Sequence, residues 1–541
     1  MSLSGYQAKS FRGWCEVGII NWAEVIIMPT VSRRMGGRTA RHVLRKTPIP
    51  VDERPSKPGQ RSGRYQPLTE IEIQQVHHAV LDVLAEIGLA NAIPSCIEKV
   101  VGAGGKLSSE GRLLFPRGLI EDIIAGAAKD IVLHGQDPRH DLPLSDGRFY
   151  FGTAGAAVHM VDVETRTYRD STLVDLYNAA RIVDAMEHIH FFQRPLVPRD
   201  IEDPREMDFN TCYASIKGTT KHVGTSFVEP DHLEQAVDML ERVAGSEKAW
   251  RERPFVSCSC CFVVPPLTFA VDACRVLEAS VRRGMPILLL AAGQAGATSP
   301  ASLVGAVVQE VAEVLAGLAY VNLLKPGHPA IFGPWPFVSD LRTGAMSGGS
   351  GEQAVLMAAC GQMGRFYGLP TGIAAGMADS KLPDVQSGYE KSYTNTLAAH
   401  SGANLVYESA GMQASLLGCC LESYILDNDM LGAINRTVRG MEVTEENLSL
   451  SVMRDVCLDG PGHFLGHDQT RELMQRDYVY PDVGDRSSPK EWNENGRPEA
   501  LNVARARLDT LLSSHWPDHI DRALDEALHS DFPIRLPMNS R

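Results

Sequence analysis

A chain of 541 residues, 44% hydrophobic and 22% charged, is long enough to bury a large core, either as one barrel with extensions or as two domains. Its formal net charge of −14 argues against a nucleic-acid partner, which would want a basic face to replace phosphate counterions. Eleven scattered cysteines without disulfide-like spacing point to reduced thiols in a cytoplasmic protein.

The first apolar stretch, Val17 to Met28, is interrupted by Asn21 and Glu24, lacks a small-residue cleavage site and is too short to span a bilayer. It reads as a disordered leader or as the product of a misplaced start. Residues 31–64 are basic and rich in Pro, Gly and Arg, so residues 1–64 are expected to be largely extended, ending in an arm that docks on its own chain or clasps another subunit. Residues 65–170 read as an α-rich cap with helices from about Thr69, Pro94 and Arg117. A β-hairpin signal follows in FYFGTAGAAVHMVDVETRTYRDS.

From Thr172 the pattern becomes amphipathic helix followed by short apolar run. Seven such runs, from HIHFFQRPLV to GANLVYES, enclose six helices. Repeated βα units predict an α/β fold, a (β/α)8 TIM barrel over residues 171–440. The missing strand is assigned to Phe149–Gly155 or to Gly462–Gly466. A long helix is expected over Met412–Arg436, and residues 441–541 form a C-terminal segment with a helical appendage. No other segment reaches transmembrane length, so no membrane association is expected.

The stretch from Gly372 to Glu408 holds strand, polar loop, helix and strand. In parallel α/β folds the loops after strand ends converge on one face, which makes Asp379, Ser380, Lys381, Asp384, Gln386 and Glu408 an active-site rim. Cys258 and Cys260 point to one side of their strand and Cys261 to the other. With no second ligand cluster they are a weak zinc candidate. His463 and His467, four apart, lie in a glycine-rich loop and lack the glutamate of HExxH. GGSGEQ at Gly348–Gln353 lacks the Lys-Ser/Thr pair of a phosphate loop and reads as a helix cap.

Several long motifs resemble the trimethylamine methyltransferase family. They are RRMGGRTARHVLR (Arg33–Arg45), AGQAGATSPASLVGAVVQEVAEVLAGL (Ala292–Leu318), DLRTGAMSGGSGEQAVL (Asp340–Leu356), GMADSKLPDVQSGYEK with GANLVYESAGM, GHFLGHDQT (Gly462–Thr470) and DRSSPKEWNENG. The resemblance runs from Arg33 to the C-terminus. It implies methyl transfer from an amine to the cobalt of a corrinoid carried by a separate partner protein. Trimethylamine enzymes of the family carry pyrrolysine, which by this resemblance would fall near Gly376 or Met377. Here the residue is an ordinary methionine, and the chain contains no non-standard residue. Similar members without pyrrolysine act on quaternary amines such as glycine betaine.

A quaternary nitrogen is already cationic, so its departure needs no protein acid and no metal; the protein supplies positioning and a dry cage. Aromatic faces hold such a cation best. Trp335 and Phe337 lead, Tyr389 and Tyr407 follow, Phe192 is a further candidate, and Met377 joins them by its position. Arg342 is the expected partner for a substrate carboxylate. Asp379, Glu408 and Gln386 are expected to act on the reacting groups, and Lys381, Met412 and His463 on the corrinoid. A small quaternary amine, a cognate corrinoid protein and a homo-oligomer are thus expected, with no metal ligands in the chain. Two rivals stand beside this reading: a zinc-dependent barrel methyltransferase or hydrolase using Cys258, Cys260 or the histidine pair, and a betaine-binding homologue without catalysis.

Overall fold

The computed structural model describes residues 50, 53–54, 57–458, 460 and 462–538. The leader, the motif at Arg33–Arg45 and most of the basic arm lie outside the described residues. The end of the arm docks on its own chain: Gln60–Arg61 pairs antiparallel with the start of the first barrel strand, and the Arg365 side chain bonds to Gly63 O.

The barrel is built in chain order. Its first half comprises β1 (Arg148–Phe151), α1 (Leu173–Ala185), β2 (Phe192–Gln193), α2 (Pro204–Gly218), β3 (Val223–Thr225), α3 (Pro230–Ala244), β4 (Val256–Cys260) and α4 (Val271–Arg283). The second half comprises β5 (Ile287–Ala291), α5 (Leu303–Leu324), β6 (Ala330–Pro334), α6 (Gly351–Tyr367), β7 (Gly372–Ala374), α7 (Val385–Ser401), β8 (Leu405–Tyr407) and α8 (Leu421–Arg439). Strands β2 to β6 pair in parallel, with registers Val223↔Phe192, Val223↔Val256, Cys258↔Ile287 and Ile287↔Ala330. Gly372↔Leu405 and Leu405↔Tyr150 join β7, β8 and β1. Parallel bridges Gly152↔Phe191 and Phe332↔Thr371 close the ring. Eight parallel strands closing on themselves, each followed by a helix, make a TIM barrel. The missing strand is the first of the two expected positions.

Local chemistry explains the boundaries. The strands are short runs buried on both faces, such as ILLLA in β5, because helices cover the outside and side chains fill the inside. Thr172 and Asp175 form a capping box at α1, while Asp203, Ser350 and Asp384 cap α2, α6 and α7. Helix α5 is 22 residues long and apolar enough to cross a bilayer, contrary to the expectation that no segment is. Most of it is buried within the protein, against β5, β6 and the cap helices Glu70–Asp82, Pro94–Gly102 and Arg117–Gly126.

One helix boundary moves. Met412 does not open a helix: Met412–Gln413 and Gly418–Cys419 form an antiparallel hairpin, turned by positive φ at Ala414, Ser415 and Leu416, and α8 starts at Leu421. Gly418–Cys419 also pairs in parallel with His159–Met160, whose hairpin partner is Thr167–Asp170. A four-stranded sheet therefore stands outside the barrel beside β1 and β8. Of the expected hairpin, only the part after Ala157 is a hairpin, because FYF is barrel strand β1.

Candidate active site

Parallel strands all end at one rim, and the ring contacts found there join residues at β2, β6 and β8. Three rings form a layer inside it. Tyr407 of β8 meets Phe191, next to β2, with centroids 4.9 Å apart, and Trp335, just after β6, at 5.2 Å. The Trp335 indole N–H donates to Gly372 O at 3.0 Å, which locks its plane. Phe337 follows in a short extension that pairs with Gln294–Ala295 and keeps 9% exposure. Phe191, not Phe192, belongs to the layer: side chains alternate along a strand, so Phe192 faces the helices. The FF doublet was visible in the sequence, but its register was not.

Glu408 follows Tyr407 directly in the chain. Gly152 donates to Val406 O at 2.9 Å and accepts from Ser409 N at 3.0 Å, so two residues of the β8 edge, Tyr407 and Glu408, oppose one of β1. This is a bulge, and Glu408 adopts φ +61° within it. Bulges re-aim side chains, and a non-glycine residue in the left-handed region persists only where the surroundings enforce it. The carboxyl is 2% exposed, and its Oε2 has no hydrogen-bond partner among the described residues. Burial alone pushes its pKa up to about 8.

The loop after β7 is held from three sides. Gly376 at φ +88° leaves no room for a Cβ, which would meet Asn395 Nδ2 at 2.5 Å and Ser409 at 2.8 Å. Asp379 accepts Ser347 Oγ–H at 2.7 Å on Oδ2 and Ser415 Oγ–H on Oδ1, tying the loops after β6, β7 and β8 together. Glu390 accepts from the backbone amides of Asp379 (2.8 Å) and Ser380 (3.3 Å), and from Gln386 Nε2 (2.8 Å). Gly348 and Gly349 lie so close above Met377 and Glu390 that a Cβ would meet them at 2.8 and 2.6 Å. Helix α5 supports two further loops: Glu310 accepts from Gly293 N (2.7 Å) and Glu313 from Leu267 N (2.6 Å).

The structure thus gathers Trp335, Phe337, Tyr407 and Glu408, with Asp379 as a brace beside them. Several other expected residues lie elsewhere. Met377 is fully buried beneath Gly348, and Met412 is fully buried against Gly155, so neither presents a surface to a ligand. Arg342, the expected carboxylate partner, is 88% exposed with its guanidinium held by both oxygens of Asp340 at 3.0 and 2.6 Å. Tyr389 is 55% exposed on the rim, and Gln386 is exposed and bound to Glu390. Lys381 is exposed, with Nζ donating to Asp379 O at 2.6 Å. His463 is exposed in the C-terminal segment, where His467 caps the helix Asp468–Arg476 instead of pairing with it. Cys258 and Cys260 turn outward; Cys260 Sγ bonds to Ala273 O on α4, and burial raises both thiols.

Sequence reasoning missed two groups at the ends of β2 and β4. Arg194 follows β2, and Cys261 follows β4, its thiol pushed up to about 11 by burial while Arg194 pulls it back. A charged residue directly after an apolar run was the available signal for Arg194.

The barrel thus carries packed aromatic rings and a buried acid oxygen, unpaired among the described residues, at the carboxyl rim where barrel enzymes hold their active sites. The family model described as Trimethylamine methyltransferase (MTTB) matches residues 34–536. The trimethylamine methyltransferase MttB of Desulfitobacterium hafniense (strain DSM 10664 / DCB-2) is 30% identical over 460 residues, covering 85% of this chain and 92% of that protein. A glycine betaine methyltransferase of Desulfitobacterium hafniense (strain Y51) is 29% identical over 474 residues, covering 87% and 97%. Among solved structures, the Methanosarcina barkeri monomethylamine methyltransferase (MtmB) aligns with TM-score 0.47 at 12% identity, over 87% of this chain and 92% of that one. The chain belongs to the trimethylamine methyltransferase family, and it is an enzyme, an amine methyltransferase.

Proposed function

We propose that this enzyme takes a methyl group from a quaternary amine of the betaine type, glycine betaine or a related betaine, and delivers it to a corrinoid carried by a cognate partner protein. The reading is that of a family member without pyrrolysine. The observation that carries it is Glu408, a buried carboxyl whose Oε2 has no partner among the described residues, next in the chain to Tyr407, whose ring packs on Trp335. A buried acid that has lost water and gained no donor is unstable as an anion until a cation arrives. A permanent alkylammonium supplies that cation without offering a proton, and the ring faces add about 0.5–2 kcal/mol each.

The corrinoid is the methyl acceptor and supplies a Co(I) nucleophile. This chain binds the amine, excludes water and fixes the line of attack. A substrate held on the Trp335 and Tyr407 layer has its far side turned to the open rim, where the exposed Lys381, Tyr389 and Gln386 stand ready for a docked carrier. Asp379 keeps that rim in one shape by holding three loops.

The reading is tested by mixing the protein with reduced corrinoid carrier and a panel of tri- and tetra-alkylated amines while following the carrier's visible absorption. Methylation with a quaternary amine is the expected result. Amine binding without methylation would establish the non-catalytic rival, and stoichiometric zinc lost together with activity would establish the zinc-dependent one.

A pH dependence follows. Binding a cation requires Glu408 ionised, whereas the empty site holds it protonated below about pH 8. Substrate affinity should therefore rise about tenfold per pH unit up to about 8 and level off above it, with proton release on binding in calorimetry. A flat affinity profile from pH 6 to 9 would remove Glu408 from the cation site.

A further inference from the structure

Two neighbours on α7, Thr394 and Asn395, reach the backbone just beyond the ends of β7 and β8, and they are 1% and 0% exposed. Between those strands Ala375 N donates to Tyr407 O at 2.9 Å; beyond it Gly376 turns at φ +88° and gives its N–H to Thr394 Oγ1 at 3.1 Å. Asn395 Nδ2 donates to Ser409 O at 3.1 Å. That carbonyl belongs to the residue after Glu408. It is the one hydrogen-bond partner of the amide among the described residues, since Oδ1 has none. The empty Cβ position of Gly376 lies 2.5 Å from this Nδ2 and 2.8 Å from Ser409 O, so only glycine lets the amide lie between the two loops.

Glu408 is fixed through Ser409. The Ser409 N–H donates to Gly152 O at 3.0 Å, its Oγ–H to Val406 O at 2.7 Å, and its carbonyl takes the Asn395 amide. The first two bonds run to barrel strands, and the third comes from a helix. A left-handed non-glycine residue such as Glu408 keeps its shape only while its flanks are held. Charged groups on α7, α8 and the loop after β7 are engaged elsewhere: Lys391 lies 2.7 Å from Asp427, Glu390 accepts the Asp379 and Ser380 amides, and Asp379 accepts two serine hydroxyls. Burial, not a neighbouring charge, therefore governs the Glu408 carboxyl.

We propose that Asn395 is a positioning residue for the reaction: by gripping Ser409 from α7 it fixes the bulge that keeps the Glu408 carboxyl buried with an unpaired oxygen, ready for the substrate's cation. This rests on the reading of Glu408 as the group that meets a quaternary ammonium. An apolar side chain of similar size would leave Ser409 O buried without this donor. The bulge would then relax, and Glu408 would gain water or another partner.

The test compares Asn395→Leu and Thr394→Val with wild type and Glu408→Gln. Asn395→Leu should weaken glycine betaine about 10-fold in Kd and KM with kcat within a few-fold, and should add less than about twofold in the Glu408→Gln background. Difference infrared spectra against Glu408→Gln follow the titration of the Glu408 carboxyl without any amine. Its midpoint should fall in Asn395→Leu and stay put in Thr394→Val, which cuts a bond to Gly376 but none to the bulge. Asn395→Ala, which leaves room for a water, carries the same measurements if the leucine variant does not fold. A Kd loss of equal size with and without Glu408, or a midpoint that is unmoved in Asn395→Leu or moves alike in both α7 variants, overturns the assignment. A wild type that binds no quaternary amine sinks the reading of Glu408 as a cation partner, while the infrared midpoints still decide whether Asn395 sets the bulge.

Discussion

Glutamine at position 408 is expected to weaken quaternary-ammonium binding on the order of 100-fold while leaving the saturated rate of methyl transfer within a few-fold. The split follows from where charge goes. In the ground state the substrate nitrogen is a full cation, and as the methyl leaves it becomes neutral. A carboxylate beside it therefore stabilises the bound ground state at least as much as the transition state. An interaction of that kind sets KM, not kcat. Two charges about 4 Å apart in a protein interior interact by a few kcal/mol, which sets the scale of the binding loss.

The same variant should be more stable than wild type at pH 8. Glu408 has its folded-state pKa raised to about 8, well above the ordinary carboxylate value. The folded state therefore holds the proton more tightly than the unfolded one, and stability falls as pH rises from the ordinary value toward 8. Glutamine removes that penalty, worth a few kcal/mol. Thermal melts at pH 8 paired with calorimetric Kd values check both halves. A variant that binds normally, or that is destabilised at pH 8, would make Glu408 a structural residue.

Lys391→Met is expected to destabilise the fold by about 3–5 kcal/mol. Lys391 Nζ lies 2.7 Å from Asp427 Oδ2, with the two side chains 1% and 8% exposed. Asp427 also accepts from Gly411 N at 2.9 Å, in the loop that follows Glu408. Removing the lysine leaves a buried carboxylate whose pKa burial already raises. The double variant Lys391→Met with Asp427→Leu should recover much of the loss, because the unpaired charge goes with it. Urea denaturation of single and double variants decides this. A double variant no better than the single would show that the pair acts through shape and not charge.

The barrel was legible because its signal is repetitive. Helices near their observed bounds and apolar runs between them could be counted from Thr172 to Tyr407. The first strand was harder, since FYF sits in a longer alternating stretch that also supplies the hairpin. Helix α8 was misread at its start because Leu416 and Leu417 fit a helical stripe, while the backbone of Ala414, Ser415 and Leu416 turns at positive φ.

The site was legible in part for a related reason. Trp335, Phe337, Tyr407 and Glu408 follow strand ends, and position in a βα unit predicts the rim. What a side chain touches there is settled by register and by competing partners. Arg342 and Asp340 are two residues apart and bind each other, which spacing alone does not show. The choice of Phe191 over Phe192 is a single step in alternation.

The pairing of β1 with β8 also bears on how the enzyme comes into being. Tyr150 lies opposite Leu405 and donates its N–H to Asn404 O at 2.8 Å although the two strands are far apart in the chain, and the strand pair Met160–Cys419 repeats that seam outside the ring. Contacts of such long range form late. During synthesis from the N-terminus, the bulge at Glu408 has no ledge to rest on until both ends of the ring have met. A partly made chain therefore carries the aromatic residues without a pocket, and methyl-transfer competence arrives in one step at ring closure.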